Sequence, residues 1–260
     1  LETIFISRSN YFINLLIIND GSDQETKEVL DKYCSNKRVK INVIHNSKNI
    51  GYIESVNIGI RASRAKYVVI ANSDILVVDY WIDRLIRGVL SNKRVGIVGP
   101  LTNAGSFQSI PDVCESSGKL AINKIPFGMN HIKFDNLIEK YSLNINPEIN
   151  IINGFCHLIT RKLIEEIGLL DEKNFPRGYC EEVDYSIRAL SKKFKILVVD
   201  NLYIYHHKTK SFKGNEREEL IRQNFPKLYI KHDKNVIDNL TLENEKNIYL
   251  NFIRLNILRK

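Results

Sequence analysis

No apolar run in this 260-residue chain reaches the length needed to cross a bilayer as a helix, which takes about 20 residues. Cysteine is also sparse. Cys34, Cys114, Cys156 and Cys180 stand far apart and form no Cys-x-x-Cys pair, so neither a zinc site nor a dense disulfide framework is indicated. Four reduced thiols in a cytoplasmic protein is the reading that follows. There is no internal repeat and no low-complexity tract. Lys and Arg are spread along the sequence instead of clustering with aromatic residues, so the net charge of +8 does not describe a nucleic-acid interface.

What is present is an alternation. Short β-branched runs, LLIIN (15–19), INVIH (41–45), YVVIA (67–71) and VGIVG (95–99), are separated by helical patterns at Glu25–Tyr33, Ile53–Ser63 and Tyr80–Leu90. Continuous apolar strands joined by helices predict an α/β fold, a doubly wound, mostly parallel sheet covered on both faces. Residues 100–150 are rich in Asn, Ser, Gly and Pro and read as long loops with a short helix around Asn136–Tyr141. A strand over 151–161, a helix at Lys162–Ile167, a helix at Glu181–Lys192 and strands KILVV (195–199) and LYIY (202–205) follow. The expected division is a catalytic domain over 1–212 and a helical extension over 213–260.

In doubly wound sheets ligands bind beyond the carboxyl ends of the strands. Three successive strand ends here carry short polar groups: Asn19-Asp20-Gly21-Ser22, Asn46 to Gly51, and Asn72-Ser73-Asp74. Each taken singly is an ordinary turn or helix cap. Their coincidence points to a site.

Six stretches together resemble glycosyltransferase family 2, whose members have a nucleotide-diphospho-sugar transferase fold. They are LLIINDGSD (15–23), HNSKNIGYIESVNIGI (45–60), YVVIANSDILV (67–77), INGFCHLITRKLIEEIGLLDE (152–172), GYCEEVDYSIRA (178–189) and YHHKTKSF (205–212). The resemblance implies a nucleotide-sugar donor, UDP- or dTDP-linked, and a divalent metal, manganese or magnesium, because a hard cation must neutralise the departing diphosphate. The family's Asp-x-Asp turn matches Asn72-Ser73-Asp74, so Asp74 is the implied metal ligand and Asn72 a candidate for the ribose. His206 matches the histidine that completes the metal shell; imidazole beside carboxylate suits an ion such as manganese. Asp20 matches the Asp-Gly-Ser turn that receives the base or ribose. Asn49, Gly51, Asn57 and Gly59 match an Asn-x-Gly…Asn-x-Gly segment in which glycine admits close backbone approach; a plain helix-cap role for Gly59 stays open.

The acidic group Glu181-Glu182-Val183-Asp184 opens a helix, where carboxylates are favoured by free backbone N–H groups in any case. By resemblance one of these acids deprotonates the acceptor hydroxyl in an inverting transfer. Glu182 takes that role by position, with Glu181 as the alternative and Asp184 placed to steady Arg188 four residues on.

The resemblance also implies a first strand and base-binding loop ahead of Leu1-Glu2-Thr3-Ile4. The chain therefore reads as N-terminally truncated, with another segment or chain expected to cover the neighbouring strands. The expected activity is sugar transfer to a glycan or lipid-linked acceptor in surface polysaccharide synthesis. A glycosyltransferase-like binding or scaffolding module is the alternative. The C-terminal helix, with Ile248, Leu250, Phe252, Ile253, Leu255, Ile257 and Leu258 flanked by Lys246, Arg254, Arg259 and Lys260, leaves three placements open. It could pack on the domain, pair with a second subunit in a homodimer, or lie on an anionic surface at the inner face of the plasma membrane.

Overall fold

Residues 1–34, 39–208 and 216–258 are described by the computed structural model. Thr209 to Phe212 of the YHHKTKSF stretch, the first residues of the expected extension, and Arg259 and Lys260 lie outside the described residues. A short helix α1 (Glu2–Ile6) leads into β1 (Asn14–Asp20), α2 (Gln24–Cys34) and β2 (Lys40–Asn46). β1 and β2 pair in parallel, with Ile17 opposite Val43. Then come α3 (Tyr52–Ala62), β3 (Tyr67–Ala71), the two-residue β4 (Ile75–Leu76), α4 (Trp81–Leu90) and β5 (Val95–Leu101). α5 (His131–Tyr141), β6 (Glu148–Ile149), β7 (Cys156–Thr160), α6 (Arg161–Ile167), α7 (Glu181–Ser191), β8 (Lys195–Tyr203) and β9 (Tyr205–His206) complete the α/β body. The helices α8 (Glu216–Lys231), α9 (Lys234–Glu245) and α10 (Ile248–Leu258) follow.

The main sheet has the order β3-β7-β5-β8-β6. β5 and β8 are parallel, while β7 runs against both β3 and β5 and β6 runs against β8. β3, β5 and β8 thus point one way, and their carboxyl ends share one rim. The apolar run of β5 is explained by burial on both faces: every one of its residues is buried. On one side a Cβ added to Gly88 of α4 would stand 2.9 Å from Val199, and on the other a Cβ on Gly96 would meet Phe194 at 2.9 Å and Leu163 at 3.2 Å. Helices press on both faces this closely because the facing positions are glycine. The 153-to-160 stretch opens α6 with a cap, Thr160 Oγ1 accepting from Leu163 N.

Three elements differ from the sequence reading. β7 begins at Cys156, not 151, because the preceding backbone is held by side chains: Gln108 Oε1 accepts from Asn153 N, and Asn153 Oδ1 from Phe155 N. The two strands read at 195–199 and 202–205 are one long β8 plus β9. Its ladder with β5 shifts register after Pro100, which has no N–H to continue the pairing. α5 starts earlier than expected, at His131, where Asn130 Oδ1 accepts from Lys133 N.

The helical extension is not set apart from the body. Leu250, Ile253 and Ile257 of α10 enter the same apolar core as Phe134 and Ile138 of α5. Ile248, Phe252, Leu255 and Leu258 remain exposed on its outer face. A separate small core joins Leu228 of α8 and Ile237 of α9 to Phe175 and Cys180.

A buried ion pair ties α4 to α5. Arg84 donates to both carboxylate oxygens of Asp135, at 3.1 and 2.6 Å, and to Asn201 O, while Asp135 also accepts from Tyr203 N. Burial pushes the Asp135 carboxyl above its ordinary range, so its charge depends on these donors. Arg84→Met leaves that carboxylate uncompensated and is expected to lower unfolding free energy by about 3–5 kcal/mol in urea denaturation, whereas the double replacement with Asp135→Leu recovers most of the loss.

Candidate functional site

The turn after the carboxyl end of β3 carries the first part of the site. Asn72-Ser73-Asp74 is the turn between β3 and β4, and β4 pairs with β9 so that Ile75 stands opposite His206. This ladder brings Asp74 Oδ1 to 3.3 Å from His206 Nε2. Asn72 Nδ2 lies 3.4 Å from the same nitrogen. The other ring nitrogen, Nδ1, is 3.1 Å from Ala104 O, which can only accept, so Nδ1 carries a proton and Nε2 is the ring nitrogen turned toward Asp74. Asn103 fixes the backbone beneath, accepting from His206 N at 2.8 Å and donating to His206 O at 2.9 Å. Phe155 stacks on the ring with centroids 5.3 Å apart.

One carboxylate and one oriented imidazole suit a borderline divalent ion that takes its remaining ligands from a diphosphate and water. Among the described residues no group of three His, Cys, Asp or Glu could hold a metal by itself. The ion would therefore be shared with the substrate.

The second part lies at the start of α7. Glu181 is buried, and the Oε2 atoms of both Glu181 and Glu182 are shut from solvent without a hydrogen-bond partner among the described residues. They line a small enclosed cavity with Tyr52, Gly154, His157, Tyr185 and Ser186. Burial, then repulsion from Glu182, pushes the Glu181 carboxyl well above the usual range. Burial raises Glu182 too, but hydrogen bonds from its own backbone, from Glu181 and from Cys180 N–H oppose it. Glu181 therefore holds the proton and Glu182 is the more acidic of the two. His157, with no partner for Nδ1 among the described residues, is driven by burial down to about 4 and is neutral.

A single loop connects the two parts. A Cβ on Gly154 would sit 3.8 Å from Glu181 Oε1, and the next residue, Phe155, both stacks on His206 and accepts from Asn72 N at 2.8 Å.

Asp20 forms the third part. Its carboxylate accepts from Ile50 N at 2.9 Å, Gly51 N at 3.0 Å and Asn46 Nδ2 at 2.9 Å, folding the loop after β2 over the end of β1. Burial acts upward on this carboxyl, yet the donors together outweigh it and hold it below the ordinary range. Gly21 allows the closeness: a Cβ there would fall 2.4 Å from Asn49 N, and its φ of 72° is left-handed. Gly51, at φ 103°, packs against Pro176 O in the same way.

Not every expected residue joins these groups. The Asn49 side chain is exposed at the loop. Asn57 is 0% exposed, and its amide clamps α3 to the 170–172 segment through Leu170 N, Leu170 O and Glu172. Asp184, also 0% exposed, bonds Arg188 as expected from the spacing, and in addition Lys231 at the end of α8 and His232 just after it. It is turned away from the cavity that Glu181 and Glu182 line. Tyr52, His157 and Asn103 were missed, since nothing in their local spacing separates them from core residues.

Because the Glu181 and Glu182 carboxyls are raised in the fold, their contribution to stability is complete below the ordinary glutamate range and declines as pH rises through the raised values. Glu181→Gln, which cannot ionise, is expected to flatten this decline. Urea midpoints followed from about pH 5 to about pH 9 test it; equal slopes for both proteins would contradict the assignment of the proton to Glu181.

This geometry can be set beside known proteins. Residues 3–168 match Glycosyl transferase family 2. The chain is 24% identical over 211 residues to glycosyltransferase GlyG of Streptococcus pneumoniae, covering 78% of this chain and 64% of that one. It is 21% identical over 257 residues to chondroitin synthase of Pasteurella multocida, covering 89% of this chain and 26% of the other. It thus spans less than two thirds of the length of these relatives. Among solved structures, GalNAc-T7 with UDP, GalNAc and Mn2+ aligns at a TM-score of 0.58 and 18% identity over 76% of this chain and 39% of that one. A mannosyltransferase from Pyrobaculum calidifontis in complex with GDP-Man and Mn2+ aligns at 0.56 and 14% over 95% of this chain and 65% of that one. These likenesses show the fold, a nucleotide-sugar transferase α/β sheet with helices after it. With more than half of its length matched, the chain belongs to glycosyl transferase family 2.

Proposed function

We propose that the chain is an inverting glycosyltransferase that moves a sugar from a nucleoside diphosphate donor to a hydroxyl of a glycan or lipid-linked acceptor in surface polysaccharide synthesis. The observation that carries this reading is the loop at Gly154-Phe155, which sets a buried carboxyl pair beside the Asp74–His206 turn. Donor-binding and proton-accepting groups then act on one substrate pair.

A divalent ion, manganese or magnesium, held by Asp74 and His206 would supply positive charge against the departing diphosphate. Asp20 and the backbone of the 46–51 loop receive the nucleoside, with Asn72 beside the ribose. Glu182 accepts the proton of the acceptor hydroxyl as its oxygen bonds to the anomeric carbon and the bond to the diphosphate oxygen breaks. The electron pair leaves with the nucleoside diphosphate. Glu181, already protonated, keeps the second charge out of the cavity and donates to Glu182. The relatives' names, among them chondroitin synthase, support a glycan acceptor.

A binding module without turnover is the second reading. It is favoured by the single acid in the Asn72-Ser73-Asp74 turn and by the enclosure of the carboxyl pair. UDP and GDP titrated by calorimetry with and without manganese, followed by a transfer and hydrolysis assay over a panel of nucleotide sugars, separate the two.

Asp74→Ala is expected to abolish the manganese-dependent gain in nucleoside diphosphate affinity while the circular dichroism spectrum stays unchanged; an undiminished gain in the folded variant contradicts its role as a ligand. Glu182→Gln is expected to lower transfer by roughly 10²- to 10⁴-fold with donor affinity retained. Near-normal transfer, or a loss of donor affinity as severe as in Asp74→Ala, would rule it out as the base.

A further inference from the structure

The opposite rim of the main sheet, at the amino ends of β5 and β8, holds a cavity of about 210 Å³ that the transfer reading leaves unused. That volume is room for about seven waters at a liquid share of roughly 30 Å³ each, or for a ligand group of several heavy atoms. Its lining is Arg94, Lys162, Glu166, Lys192, Lys193 and Phe194. Arg94 and Phe194 precede two parallel strands that start side by side, Lys195 N donating to Arg94 O at 2.8 Å. Lys162 and Glu166 lie on α6, and Lys192 and Lys193 directly follow α7.

The cations of this cavity are not spent on the protein. Close by in sequence, Lys195 is paired with Glu148 at 2.6 Å, and Arg161 donates to Ala65 O and Ser63 O. Arg94, Lys162, Lys192 and Lys193 are exposed, and none meets a carboxylate at ion-pair distance among the described residues. Lys162 and Glu166 stand four apart on α6, the spacing of a helical ion pair. Lys162 Nζ lies over the Phe194 ring instead, 5.8 Å from its centroid. Phe194 itself is buried over Gly96 and gives the cavity an apolar floor.

Cations near helix carboxyl ends have an ordinary use, which is to offset the partial negative charge there. Here they exceed it. The ends of α4 and α7 bring about half a negative charge each and Glu166 one more, against four positive side chains, which leaves the cavity positive by about two. A phosphate group carries nearly that charge at neutral pH and presents several acceptor oxygens, where a carboxylate brings a single charge. The Arg94 guanidinium offers a two-pronged donor to such a group, and the lysines act as point charges around it. We propose that this cavity is a second, metal-independent anion site that takes a phosphate-bearing ligand, either a soluble diphosphate or phosphate ester or the phosphate of a lipid headgroup. It lies at the other end of the strands from the Asp74 turn, and it stands whether or not the chain transfers sugar.

The probe is inorganic pyrophosphate, titrated by calorimetry into the whole chain with a chelator present, so that no ion serves the Asp74 turn. Wild-type protein and Asp74→Ala are expected to bind it alike. Arg94→Gln/Lys162→Gln is expected to weaken binding roughly tenfold. Lys119→Gln/Lys124→Gln removes the same charge from exposed positions in the segment fastened by Asn123 to Asn103, beyond the other end of β5. Screening by salt keeps its effect under about twofold. Lys192→Gln/Lys193→Gln serves if the first cavity variant does not fold. Sedimentation with phosphatidylcholine vesicles containing phosphatidylglycerol separates the two sources. A lipid headgroup is the ligand if the wild type, and not the cavity variant, goes down with the vesicles; a soluble phosphate is the ligand if pyrophosphate binds and the vesicles leave the protein behind. The proposal is overturned if pyrophosphate does not bind and the vesicles either leave the wild type behind or carry down the cavity variant equally. Loss of pyrophosphate binding in Asp74→Ala also overturns it, as does an equal weakening in the Lys119→Gln/Lys124→Gln control, which would show the net charge of the chain at work and no site.

Discussion

Two adjacent carboxyls in one enclosed cavity cannot both carry charge cheaply, and the rest of the site is arranged around that constraint. Glu181 and Glu182 reach inward from the first turn of α7 to a space walled by α3, β7 and the loop before β7. Repulsion between them and the loss of water favour the state with one proton shared. A lone buried glutamate would be neutral and useless as a base at neutral pH. The proton on Glu181 and the N–H of Cys180 both favour charge on Glu182, so the pair divides one difficult ionisation between a holder and an acceptor. The division depends on backbone geometry as much as on residue type.

The same economy of charge appears at the Asn72-Ser73-Asp74 turn proposed to hold the ion. With Asn72 in place of a second acid, the turn contributes a single carboxylate, and His206 is oriented from behind by Ala104 O and Asn103. In the proposed role, an imidazole held in one rotamer would add geometry without adding repulsion toward an incoming diphosphate. Phe155 covers one face of the imidazole and carries the backbone carbonyl that anchors Asn72, so the aromatic residue and the polar turn move together or not at all.

The strands and their polar ends were legible because the signal is local: a β-branched run followed by Asp or Asn needs only a few residues to read. Asp20, Asn72 and Asp74 were read this way, whereas the acidic pair was read from its place at a helix start and from the family resemblance. Reversal of β7 within the sheet was not legible, since an apolar strand looks the same in either direction. Asn57 and Tyr52 show the other limit. Asn57 lies in a segment that reads as a nucleotide contact, but its partners Leu170 and Glu172 are more than a hundred residues away. Asn224 sits on a charged helix, and its burial against the Gly178 and Tyr179 carbonyls follows only from the tertiary fold.

The parallel pair β1–β2 shares no ladder with the five-stranded sheet among the described residues. Its attachment runs through α3 and the segment before β1: α3 packs on β1 with Gly59 against Ile18, Asn57 fastens α3 to the 170–172 segment, and Asp83 of α4 accepts from Ser9 Oγ and Asn10 N. Side-chain contacts yield more readily than strand pairing, so the protection of β1 and β2 against opening is set by these anchors and not by the hydrogen-bond ladder of the central sheet.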